Sequence, residues 1–351
     1  MREGKHGERD RALDMLKGFG IFLMVYGHVD AVYQATMAWA YIYSFHMPLF
    51  FIASGMVYNP KNESFWVFCA KKAKSLLVPY LSVILGSFVI GSVIANATGQ
   101  PFFSFDGEFL KRIYIFVFGR YDKALYDLGM IHIGPVWFLH ALFFSFLAFW
   151  FIAKTKKPII AVITVLLCAF ALFTQLTEGP MLHYGVKNTP LKFWLYSLTT
   201  FYLCVGYLCK LWGIGECIKK YNPYTSVVLL VASSAAVLIN HSFGYMQHIK
   251  SAWYIPVSIC LVLGWYGVLA LLKGNKLLEY LGRNSLYILC LHGFVWYPVY
   301  KIICLLGGGA AKHHVYGISA AVINIALCCA LFESYKYIKS KSPHSCPPDI
   351  S

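Results

Sequence analysis

Apolar residues run through this chain in long blocks, separated by short stretches that collect lysine, arginine, proline and serine. A helix crosses a hydrocarbon core of about 30 Å with roughly 20 residues, and the blocks have that length. They lie at about residues 12–32, 40–58, 76–97, 135–153, 158–176, 193–211, 225–239, 252–272, 285–305 and 315–332. The pattern predicts an all-α integral membrane protein, a bundle of about ten transmembrane helices. The seventh block is the weakest, being short and rich in serine and alanine. The expected layout is a cytoplasmic segment at 1–11, a ten-helix domain at 12–333 with one long outer connection at about 97–134, and a disordered cytoplasmic tail at 334–351. Within the outer connection, FDGEFLKRIYIFVFGRY mixes aromatics and charges as an interfacial helix does.

Composition agrees. Hydrophobic residues make up 59% of the chain, charged residues 13%, and the mean hydropathy is +0.61, which leaves no room for a separate soluble domain. The formal charge of +15 raises the question of nucleic acid, but the basic residues are spread over short loops without one long run. Their distribution reads as topology instead. With the N-terminus in the cytoplasm, 20 of the 30 lysines and arginines fall on cytoplasmic segments and nine on the other side, with Lys17 inside the first span. The positive-inside rule then places both termini in the cytoplasm. The basic start followed by an apolar stretch loosely imitates a secretory signal, but a second span follows at once, so the first helix is expected to be retained. Eleven cysteines show no metal-type spacing and mostly sit in apolar runs, which predicts neither a disulfide framework nor a metal site.

Polar residues inside apolar runs change the picture from topology to chemistry. In KGFGIFLMVYGHVD, the eleven steps from Lys17 to His28 bring the two within ~20° of one helix face and ~16 Å apart along the axis. Asp14 lies ~40° from His28 by the same arithmetic. Structurally, Asp14 and Lys17 read as an ion pair at the interface. The second span opens with SFHMPLFFIASG, carrying His46, Pro48 and Ser54; the fourth with GPVWFLHALFF, carrying Trp137 and His140. His28, His46 and His140 thus share the outer-leaflet depth, and His292, in EYLGRNSLYILCLH, lies near the midplane. A buried, hydrogen-bonded histidine is the alternative for each. The chemistry that fits is an imidazole acting as general base on an acceptor hydroxyl, most simply a sugar's. His28 is the candidate for that base, and an acyl-imidazole intermediate on it is the other route.

These patches, KGFGIFLMVYGH, FHMPLFFIASG, VWFLHALF and LGRNSLYILCLH, resemble in that order acyltransferase family three, the bacterial integral-membrane O-acyltransferases. The similarity is greatest to the branch of fucose 4-O-acetylases and surface-polysaccharide O-acetyltransferases. The resemblance spans about residues 11–331 and implies about ten membrane helices in the bacterial cytoplasmic (inner) membrane. It also implies acetyl-CoA as a cytoplasmic donor substrate, with no permanently bound cofactor, and transfer to a hydroxyl of a cell-surface or lipid-linked glycan. The family motif is a basic residue, ten others, and an essential histidine; Lys17 and His28 stand at those positions. Much of the family has arginine where this chain has Lys17, which keeps the charge but loses bidentate contacts. Arg11 and Asp14 match the residues just before the motif, and with Lys17 they are the expected donor-binding set. His46, Trp137, His140, Ser54 and His292 are expected at the acceptor site or in support of it. The expected partners are acetyl-CoA, the glycan acceptor and membrane lipids.

Two readings compete. A transporter or flippase for a glycan or small solute would carry matched broken helices in two related halves, and the sequence shows no internal repeat. A non-catalytic binding module would tolerate loss of His28.

Overall fold

The computed structural model describes residues 9–28, 36–97, 136–177, 193–221, 223–240, 243–307 and 314–341. The expected outer connection and its interfacial helix fall largely outside them, as do residues 342–351. The described chain is helical apart from one short hairpin. In order, the elements are α1 (Arg11–Gly27), α2 (Thr36–Val57), α3 (Phe65–Lys72), a π turn (Ala73–Leu77) and α4 (Val78–Ala97). There follow α5 (Trp137–Ile152), α6 (Lys157–Leu176), α7 (Phe193–Leu211), α8 (Ile214–Tyr221) and α9 (Pro223–Ile239). Strands β1 (Gly244–Tyr245) and β2 (His248–Ile249) precede α10 (Tyr254–Leu271), α11 (Lys276–Arg283), α12 (Ser285–Gly307) and α13 (His314–Lys341).

Each of the ten apolar runs carries a helix. Among the described residues, five helices are long and apolar enough to cross a membrane: 37–57, 65–91 through the π turn, 157–176, 254–271 and 317–341. Leu85, Val165, Leu166, Val228 and Val231 lie exposed on the flanks of the bundle. A soluble monomer rarely displays apolar surface on that scale, whereas lipid covers it. α1 and α7 are not among those five helices, and both lie inside the bundle. α1 packs against α2, α10, α11, α12 and α13, while α7 packs against α2, α5 and α6.

Three boundaries differ from the sequence pattern. α1 ends at Gly27 rather than near residue 32, because glycine holds a helix weakly and Tyr43 Oη donates to the Gly27 carbonyl at 3.4 Å. The Lys-rich stretch KKAKSLLVPY, which leads into the apolar run that begins near residue 76, is already helical. It continues a helix that starts at Phe65 under a Ser64 cap, and it widens into the π turn just before Pro79, whose ring and missing N–H forbid a regular turn there. α13 runs on to Lys341, so residues 334–341 are helical where a disordered tail was expected. Tyr280 Oη donates to Glu333 at 2.6 Å and Lys336 Nζ lies 2.6 Å from the same carboxylate.

Candidate functional site

The site begins where α1 meets α11. Gly18 and Gly282 let the two backbones approach so closely that a Cβ on Gly282 would lie 1.8 Å from the Asp14 carbonyl oxygen, and one on Gly18 2.0 Å from that of Leu278. Small residues at such crossings are how membrane helices pack tightly. The approach brings two buried carboxylates, Asp14 and Glu279, beside three arginines. Arg9 holds Asp14 with Nε at 2.5 Å and Nη2 at 3.1 Å. Arg283 reaches both acids, with Nε 3.5 Å from Asp14 and Nη2 3.0 Å from Glu279. Arg11 holds the other Glu279 oxygen at 2.9 Å. At the start of α1, the Asp10 side chain caps the Leu13 N–H at 3.2 Å and accepts from Lys219 and Tyr266, each at 2.8 Å. Burial pushes the Asp10 carboxyl up, but those two hydrogen bonds and the Lys219 charge outweigh it and leave it below the usual carboxylate value.

A cavity of about 250 Å³ opens beside this cluster. Arg9, Lys17 and Arg283 line it, and among the described residues no acid does. Its inner walls are apolar, formed by Met24, Met47, Phe50, Leu76, Phe138 and Leu142 among others, with Ser54 and Ser285 as the uncharged polar members. Lys17 makes no ion pair with the described residues, so the expected Asp14–Lys17 pair is replaced: Asp14 is taken by arginines and Lys17 faces the cavity. Arg11 faces Glu279, and neither it nor Asp14 lines the cavity. The arrangement suits a ligand with an anionic end and a slender apolar-walled remainder.

One turn beyond Met24, His28 closes α1, its N–H bonded to the carbonyls of Met24 and Val25. Its ring lies 5.8 Å from that of His292 and 6.1 Å from that of Tyr43. Tyr43 Oη stands 3.4 Å from His28 Nδ1 and its ring 4.7 Å from that of His46. Three histidines from three helices therefore gather around Tyr43 and α1. His46 Nδ1 bonds to the Ile42 carbonyl at 2.8 Å, and His292 Nδ1 to that of Leu289 at 2.8 Å. A carbonyl only accepts, so each Nδ1 carries a proton and each Nε2, in the neutral ring, is an acceptor. His140 goes elsewhere: it packs among Tyr80, Phe144 and Tyr196, with Tyr196 Oη 3.1 Å from its Nδ1. Trp137, the first residue of α5, is half-buried against the core. Ser54 lines the cavity, its hydroxyl donating to the Phe50 carbonyl at 2.7 Å.

Sequence reasoning missed Arg9, Arg283 and Glu279, counting the arginines only toward topology. Glu279 and Arg283 stand four apart, a spacing that signals a pair on one helix; the Arg11–Glu279 contact, 268 residues apart, carries no such signal. It also missed Tyr43 and Asn324. The fully buried Asn324 donates from α13 to the His292 carbonyl at 3.0 Å and so fixes that turn of α12. Asn284, just before α12, turns its side chain back and donates to the Tyr280 carbonyl at 2.9 Å.

The family profile described as "Acyltransferase domain" matches residues 10–333. A curated relative, the nodulation protein NolL of Mesorhizobium japonicum, is 30% identical over 210 residues, which is 57% of this chain and 48% of the relative. The chain thus spans about half the length of the curated relative it matches. No solved structure matches.

Proposed function

The chain belongs to the acyltransferase-domain family, and from that premise we propose that it is an O-acetyltransferase moving an acetyl group from acetyl-CoA to a hydroxyl of a cell-surface or lipid-linked glycan. Its ten apolar helices cross the bacterial inner membrane with both termini in the cytoplasm, the arrangement the lysine and arginine distribution favours. The observation that carries the reading is the cavity with three cations at its mouth, no acid among the described residues of its lining, and apolar walls reaching Met24, one turn from His28. Phosphates of the donor rest on Arg9, Lys17 and Arg283, where charge-assisted hydrogen bonds are strong, and the pantetheine arm runs inward. The ~16 Å of helix between Lys17 and His28 is about the length of that arm. Arg11 and Asp14 contribute through the ion-pair cluster that holds the mouth, and Ser54 lies along the arm.

At the inner end, His28 is the general base. Tyr43 Oη gives its proton to the Gly27 carbonyl and accepts from His28 Nδ1–H, which leaves Nε2 with its lone pair for the acceptor hydroxyl. The hydroxyl proton moves to Nε2 as the oxygen attacks the thioester carbonyl. The tetrahedral adduct collapses, the C–S bond breaks, and the imidazolium returns its proton to the departing thiolate. His292 stands beside His28, and His46 beside Tyr43, while His140 packs apart from them on α5.

The test is the acetyl content of surface glycans, measured by mass spectrometry in a deletion strain complemented at matched membrane levels. Wild type restores acetyl and His28→Ala does not. Lys17→Ala restores it only weakly, because the donor loses a phosphate contact; restoration by His28→Ala equal to wild type removes His28 from the mechanism.

A further inference from the structure

At the end of α1 opposite the cationic mouth, four ring-bearing side chains meet beside His28. Trp39 and Tyr43, one turn apart on α2, stack with centroids 4.6 Å apart and planes 24° from parallel. Tyr245, from β1, stands across both, 5.7 Å from Trp39 at 74° and 6.3 Å from Tyr43 at 87°. His248, from β2, lies 6.0 Å from Tyr245. The three aromatic rings are half-buried and His248 is exposed.

The hairpin is built to hold its two rings there. Phe243, Met246 and Ile249 are buried beneath it, and Gln175 Oε1 accepts from the Ile249 N–H at 3.4 Å. Gly244 has φ +88°, and a Cβ there would lie 2.2 Å from the His248 carbonyl oxygen, so only glycine makes this turn. Aromatic residues at a membrane surface ordinarily form a belt, each ring set among lipid headgroups. Here the rings pack against one another as a corner, and Tyr43 joins that corner directly to His28 and His46. Trp39 Nε1 has no hydrogen-bond partner among the described residues.

A pyranose has two kinds of surface: apolar C–H faces and a rim of hydroxyls. A stacked pair of rings with a third set across it, carrying polar tips, matches both. We propose that Trp39, Tyr43, Tyr245 and His248 form an acceptor subsite that seats one pyranose ring of a glycan and presents its hydroxyl to His28. This rests on the acetyltransferase reading and adds where the acceptor binds. Donor and acceptor then enter from opposite ends of α1. Tyr43, a member of the corner that also contacts His28, sets the distance between the seated ring and the base.

The test compares Trp39→Ala and Tyr245→Ala with the ring-preserving Trp39→Phe and Tyr245→Phe. Glycan acetyl content is read in complemented cells, and CoA affinity by titration calorimetry on the purified full-length protein in nanodiscs. The expected result is a loss of acetyl of about tenfold in the alanine variants, with CoA affinity within about twofold of wild type and the phenylalanine variants largely active. Unchanged acetyl in the alanine variants overturns the subsite. So does a parallel loss of CoA affinity, which would make the rings structural. If the wild-type protein itself neither binds CoA nor adds acetyl, the acetyltransferase reading fails and the subsite falls with it.

Discussion

Replacing Gly282 by alanine tests the joint between α1 and α11 on which the cationic mouth depends. The new Cβ would lie 1.8 Å from the Asp14 carbonyl oxygen and 2.7 Å from its carbon. Ordinary non-bonded contact needs well over 3 Å, so α11 must withdraw by about 1.5 Å. Both opposing atoms are backbone, and no side-chain rotation relieves the clash. A withdrawal of that size stretches the Arg283–Asp14 contact from 3.5 Å to about 5 Å and carries Glu279 away from Arg11. Overpacking of this kind costs about 1–3 kcal/mol, and a displacement of about 1 Å in a positioning element can cost on the order of 100-fold in rate. Gly282→Ala is therefore expected to lower the thermal midpoint by several degrees and to weaken CoA binding at least about tenfold. Thermal unfolding and CoA titration of the same nanodisc sample measure both. Gly86→Ala is the control, since its Cβ meets only the Phe294 ring, at 3.3 Å, and a small rotation accommodates it. A Gly282→Ala protein that melts and binds CoA like wild type would refute the close α1–α11 approach and the mouth built upon it.

Arg283→Ala removes a cavity cation and uncovers two buried acids, so it should weaken CoA binding more than Lys17→Ala does; equal effects by titration would remove its bridging role. Glu279→Gln keeps the shape but frees Arg11 and Arg283 from a buried charge, and CoA affinity should fall by less than in Arg283→Ala. Because the folded carboxyl of Asp10 sits below its unfolded value near 3.8, the stability it contributes is complete above that pH and is lost as pH falls through the lower folded value. Asp10→Asn should accordingly flatten the fall of the thermal midpoint below about pH 3.8 and leave its slope near neutrality unchanged. Asn324→Ala removes an interhelical hydrogen bond and should cost roughly 0.6–1.7 kcal/mol in chemical unfolding, with a loss of glycan acetyl because the His292 turn is freed.

Helix positions were legible in the sequence because lipid imposes length and apolarity on whatever it touches. The same rule explains where legibility stopped. α1 and α7 are not among the five long apolar helices because neighbouring helices surround them, and a residue facing protein is free to be polar. Helix ends were misjudged where local chemistry overrides hydropathy, at Gly27 under the Tyr43 hydroxyl and at the π turn before Pro79. The 17-to-28 spacing set two polar residues on one face, a property of a single helix. That His28 meets His292, and Arg11 meets Glu279, depends on how distant helices pack, which one helix's periodicity does not encode.

Packing likewise decides which arginines matter. By sequence, Arg9, Arg11 and Arg283 are alike, each a cation at a helix end where topology alone would put one. In the fold, their roles are set by two carboxylates. Glu279 holds Arg11, which does not line the cavity, and Asp14 holds Arg9 and Arg283, which do. A buried acid left alone would cost several kcal/mol, so each must gather cations. Two acids with three arginines and Lys17 leave the cluster with net positive charge, and it is the cavity side that carries the surplus. Asp14 therefore bears on the cavity indirectly: it is not part of the lining, and it fixes two guanidinium groups that are. On sequence Asp14 groups with Lys17 and Arg11 on α1, and the ion pairs to Arg9 and Arg283 supply the reason an acid belongs there.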